Sequence, residues 1–139
     1  MSSVSPLNPL TERQQNICSY GGTFGLLLSL TCLIQHFVVA KSTWVTYIMV
    51  SLYFFAILVF LLLALQKKVA PVLLIISTVF SLGIQYIWMK EYAFSLAVLF
   101  LFLYHVVIIV MLFTEQIPRQ LIQKSKIEKQ EQDQWAGKL

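Results

Sequence analysis

The sequence predicts an all-α integral membrane protein, with four transmembrane helices in an up-down-up-down antiparallel bundle and both termini cytoplasmic. Three observations predict it. Four apolar blocks fill the chain from about Cys18 to Phe113, and no Asp, Glu, Lys or Arg lies inside any of them. A block of about 20 such residues crosses a hydrocarbon core of ~30 Å as a helix. Hydrophobic residues make up 58% of the 139 positions and charged residues 12%, whereas soluble domains are about a quarter charged. Finally, eight of the ten Lys and Arg fall in three segments: Arg13; Lys67 and Lys68; and Arg119, Lys124, Lys126, Lys129 and Lys138. Only Lys41 and Lys90 lie in the alternate loops, and this asymmetry is the positive-inside pattern. The net charge of +4 is therefore a signal of topology and not a footprint for nucleic acid.

Residues 1–10 form a polar segment. Asn8 before Pro9 fits an N-cap and first helical position, and Thr11 with Gln14 fits a capping box. A helix that begins there starts in water or at the interface and runs on into the membrane, with Gly21 and Gly22 as a place to bend. The transmembrane domain covers 11–114. Its first span is expected at about 18–40, followed by a short outer turn at Lys41–Thr43. Arg13, the apolar run Phe24–Ile34 and the small residues Val38 and Ala40 imitate a signal peptide cleaved after Ala40. The polar Gln35 and His36 ahead of that point favour an uncleaved span.

The second span is expected at 44–65 and stops at Gln66, Lys67 and Lys68. The third covers 69–89, with Pro71 in its first turn, where a missing N–H costs little. Lys90 and Glu91 make the second outer turn, and the fourth span covers 92–113. Connections this short force consecutive spans to lie side by side. Trp44, Tyr47, Tyr86, Trp88 and Tyr92 collect near the outer ends as an aromatic belt. Residues 115–139 form a charged cytoplasmic tail, too polar to pack alone, expected as a solvated helix or a disordered segment. Its membrane-near half is basic and suited to anionic lipid.

Small residues recur at intervals of four: Gly21, Gly25 and Ser29; Ser77, Ser81 and Gln85; Ala93 and Ala97, leading through Leu101 to His105. Such stripes let helices approach closely where no hydrophobic effect drives them together. The second span lacks a stripe and carries Tyr53, Phe54, Phe55 and Phe60, which suits a face toward lipid or a subunit.

Four side chains inside the spans offer more than packing. Gln35, His36 and Gln85 lie near the outer ends and are expected to form a shallow polar pocket. His105 lies deeper, about 20 Å from the start of its span, as a buried ligand or a helix cross-link. Two axial histidines must share one depth, so His36 and His105 do not hold one haem between them.

Other chemistries lack their residues. Cys18 and Cys32 are fourteen residues apart, about 21 Å of helix and too far for a disulfide, and no C-x-x-C occurs. Glu12, Glu91 and Glu115 sit at or outside the boundaries, whereas small four-helix drug/proton exchangers need a carboxylate within a span. Glutathione-transferring membrane enzymes need Arg and carboxylates near the spans, and Arg13 beside Glu12 and Asn16 echoes that only in part. No phosphate loop, metal motif or nucleophile elbow is present.

The sequence thus predicts a non-catalytic accessory or scaffold subunit in the cell inner membrane, without cofactor or metal. Its expected partners are the lipid bilayer and other membrane subunits or further copies of itself. The alternatives are a small oligomeric transporter or channel using the outer polar pocket, and a haem- or quinone-associated anchor using His105.

Overall fold

A computed structural model describes residues 8–39, 44–91 and 95–138. The Lys41–Thr43 turn, Tyr92 and Ala93 of the sequence reading lie outside these residues. Five helices carry the fold, and no strand occurs among the described residues: α1 Glu12–Val39, α2 Trp44–Ala64, α3 Ala70–Glu91, α4 Leu96–Thr114 and α5 Ile117–Gly137. The first four are long and apolar enough to cross a membrane, which supports a multi-pass membrane protein.

Local chemistry sets the helix ends. Gln14 N–H donates to Thr11 Oγ1 at 3.2 Å, and Thr11 N–H donates to Gln14 Oε1 at 2.9 Å, a reciprocal capping box. This starts α1 six residues ahead of Cys18. Asn8 and Pro9 precede the helix instead of opening it: Asn8 Oδ1 accepts from Leu10 N–H at 3.1 Å, and Leu10 turns into the core. At the end of α2, Gln66 N–H reaches Leu63 O and Lys67 N–H reaches Leu62 O, both at 3.0 Å. With Gln66 in the left-handed region (φ 57°), this is a Schellman cap. Ser95 caps α4, its Oγ accepting from Val98 N–H at 3.4 Å. A second left-handed residue, Gln116 (φ 56°), turns the chain from α4 into α5.

α1 packs on α2 and α4, and α3 packs on the same two helices. The closest approach is between α1 and α2. A Cβ placed on Gly22 would sit 2.6 Å from both Ala64 N and Phe60 O, and one on Gly25 would enter the Phe60 ring. Glycine serves close approach here, and α1 runs as one helix through Gly21 and Gly22. Of the rings Tyr53, Phe54, Phe55 and Phe60, expected to face outward, Tyr53 and Phe60 are fully buried and Phe54 is exposed; Phe60 fills the space left by Gly25.

The tail is helical, the first of the two expected forms, but its start is not solvated: Ile117 and Leu121 bury against the bundle. Lys124 Nζ donates to Gln66 Oε1 at 2.7 Å, so α5 leaves α4 and crosses to the α2–α3 turn. Arg13 pairs with Glu115 at 2.9 Å, and Gln14 Nε2 donates to Glu115 O at 2.8 Å, fastening the start of α1 to the α4–α5 elbow.

Candidate functional site

The residues singled out in the sequence go to separate places. Gln35, near the end of α1, accepts from Ser95 Oγ at 3.2 Å and so ties α1 to the cap of α4. His36, about 100° further round the helix, is fully buried, with the Trp88 and Tyr53 rings 5.5 and 5.9 Å from its own. Gln85 is 8% exposed, and its Oε1 has no hydrogen-bond partner among the described residues. His36 and Gln85 are thus buried, while Gln35 is half-buried. A cleft of about 200 Å³ at this end runs between Trp44, Ile48, Tyr86 and Lys90, and none of the three lines it. Trp88 leaves the expected aromatic belt for the same reason. It is 3% exposed against His36, while Trp44, Tyr47 and Tyr86 stay exposed.

His105 joins α4 to α3. Its Nδ1 lies 2.7 Å from Leu101 O and its Nε2 lies 2.8 Å from Ser77 Oγ. A carbonyl oxygen only accepts, so Nδ1 carries the proton, Nε2 accepts, and the Ser77 hydroxyl donates. Both ring nitrogens are engaged, and the Phe60 ring covers the imidazole at 4.9 Å. A serine donating to a histidine is also how an activated nucleophile begins. Here the pair is buried, and mid-helix Ser77 has neighbouring backbone N–H groups already committed to helix carbonyls. The backbone at Ser77 therefore offers no oxyanion donors, and the bond links α3 to α4.

The two histidines sit at different levels. Their neighbours on α3, Trp88 and Ser77, are eleven residues apart, about 16 Å of helix, so they do not share a haem. Among the described residues no group of three His, Cys, Asp or Glu is placed to hold a metal ion.

The small-residue stripes divide between neighbours. Gly25 and Ser29 are buried with Gly22 on the α2 side, while Gly21 faces Ile108 and Tyr104 of α4. Ser77 and Ser81 are buried along one line of α3 with Gln85. Ala97 is half-buried, and its carbonyl accepts weakly from Cys32 Sγ at 3.5 Å. Ser29 and Ser81 return their hydroxyl protons to carbonyls of their own helices, which leaves both side chains small and satisfied.

Two features escaped the sequence reading. Tyr104 donates its hydroxyl to Gly21 O and joins α4 to α1. Above that bond lies a groove of about 720 Å³ between the two helices. Its walls are Ile17, Tyr20 and Phe24 of α1 and Val107, Ile108 and Met111 of α4, and Glu12, Arg13 and Asn16 stand at one end. The signal for it was Gly21, a gap in the α1 surface, one to three turns from that polar trio.

No protein-family model, curated protein or solved structure matches this chain.

Proposed function

We propose that the protein is a non-catalytic accessory or scaffold subunit that packs within a larger assembly of the cell inner membrane. In this reading the spans alternate in direction and both termini are cytoplasmic. Alternation is supported by which ends touch: the start of α1 meets the ends of α2 and α4 (Gly22 on Ala64, Arg13 on Glu115). The end of α1 meets the cap of α4 and the end of α3 (Gln35 on Ser95, His36 on Trp88). The cytoplasmic side is supported by the lysines of the α2–α3 turn and α5.

The observation that carries the reading is the Leu101–His105–Ser77 chain of hydrogen bonds. The most chemically able side chain in the membrane core is used to hold two helices together. Gln35, Tyr104 and Gln14 serve the same end at other levels. A bundle cross-linked at several heights is suited to present a fixed outer surface to other subunits. Affinity purification in a mild detergent tests this: a companion membrane protein in fixed stoichiometry is expected, and a monodisperse lone protomer counts against it.

The alternative, a small oligomeric transporter or channel, has one observation in its favour, the buried Gln85 carbonyl without a hydrogen-bond partner among the described residues. Loss of solute flux from reconstituted vesicles in His36→Ala and Gln85→Leu would support it. Unchanged flux removes both residues from such a mechanism.

A further inference from the structure

We infer that the α1–α4 groove is a phospholipid site: one acyl chain lies along it, and an ethanolamine headgroup is held by Arg13, Glu12 and Asn16. The site is independent of which subunit the bundle holds.

Shape comes first. The groove, about 720 Å³, falls within the ~300–1,000 Å³ of small-molecule sites. From Arg13 to Phe24 it follows eleven residues of α1, about 16 Å. Its charged end lies ahead of Cys18, where the span is expected to begin, and Phe24 lies six residues, about 9 Å, inside it, so the groove runs from the headgroup level into one leaflet. Its floor is mostly apolar, and the Tyr104 hydroxyl already donates its proton to Gly21 O. An apolar chain gains most from filling it, since few polar partners lie below the mouth.

Charge then selects the headgroup. Arg13 is 76% exposed, and only its Nη2 is taken by Glu115. A guanidinium has five N–H donors, so several remain for a phosphate. Yet the mouth also holds Glu12, and with Glu115 the three side chains sum to a net charge of −1. A purely anionic headgroup meets repulsion there. A headgroup with a phosphate and an ammonium meets both signs in place, phosphate at Arg13 and ammonium at Glu12. A primary ammonium has three N–H donors for the Glu12 carboxylate and the Asn16 amide oxygen. A trimethylammonium has none, so ethanolamine is preferred over choline.

The test is native mass spectrometry of the full-length protein, extracted in mild detergent. It is offered equal amounts of ethanolamine, choline and glycerol phospholipids with identical chains. One retained lipid per protomer is expected, with ethanolamine favoured about threefold to fivefold over each of the others, the scale of one exposed charge pair. Glu12→Gln should bring the ethanolamine-to-choline ratio to about one. Val107→Trp, which fills the groove from an exposed wall position, should abolish retention of all three, with circular dichroism confirming that both variants are folded. Equal retention of the three headgroups by the unaltered protein overturns the proposal. So does an unchanged preference in folded Glu12→Gln, or undiminished retention in folded Val107→Trp.

Discussion

Replacing Gly22 by Ala puts a methyl group where two helix backbones meet. The added carbon would lie 2.6 Å from Ala64 N and from Phe60 O, and 2.8 Å from Ala64 Cβ. Carbon contacts are comfortable at about 3.5–4.0 Å. Two of the three obstructing atoms are backbone, so no side chain can swing away. The helices must separate by about 1 Å, which also lifts Phe60 off Gly25. Overpacking of this kind costs up to about 3 kcal/mol. Against it stands the helix preference of Ala over Gly, about 1 kcal/mol. The net expectation is a loss of about 2 kcal/mol.

Gly83 is the internal control, since a Cβ there meets nothing within 4 Å. Gly83→Ala should therefore gain up to about 1 kcal/mol, leaving the two variants about 3 kcal/mol apart. Helix propensity alone predicts the same sign at both positions. Unfolding of each variant in mild detergent, titrated with a denaturing detergent and followed by circular dichroism, reads the difference. Gly22→Ala as stable as the parent would refute the close approach of α1 and α2.

Four more outcomes are expected. Ser77→Ala strands the acceptor at His105 Nε2 and should cost about 1–3 kcal/mol; a double-mutant cycle with His105→Leu should give a coupling of about 0.6–1.7 kcal/mol, and zero coupling removes the cross-link. Gln116→Gly relieves a left-handed residue with no side-chain cap bond and should raise stability by about 1 kcal/mol in the same titration. Lys124→Ala frees α5 from Gln66, so hydrogen exchange should quicken around residues 121–128 while the spans stay protected; unchanged exchange there means that this bond does not hold α5. Visible spectra of the purified protein should lack a Soret band, since both His105 nitrogens are engaged; a band lost in His105→Ala would show otherwise.

The four membrane-crossing helices were legible because each apolar block is as long as a membrane crossing and each is closed by charge. Thr11 and Gln14 likewise announced the start of α1 through their spacing. Which way each helix faces was not legible, and the reason is physical. In a soluble helix the buried stripe is the apolar one, but here lipid and core are both apolar, so composition does not mark the inside. Hence composition gives no sign that Phe60, Trp88 and Tyr104 face other helices. The small residues were a better guide: Gly25 and Ser77 both lie at close contacts. Even so, the partner of Ser77 was not readable, because pairing it with His105 requires the rotation of α3 and α4 together. Ile117 and Leu121 are two of the few large apolar residues of a polar tail, which also holds Ile122, Ile127 and Trp135, too sparse a set to signal a packed helix. They bury because the α4–α5 elbow, fastened by Arg13 and Gln14, aims them at the bundle.

The scaffold reading meets its most direct test in the mass of the particle released from native membranes without delipidation. The protomer alone is 16.0 kDa. The account predicts a larger particle in which a membrane subunit of different sequence accompanies this chain at constant ratio. A population at the protomer mass, or at whole multiples of it with bound lipid only, would contradict the account.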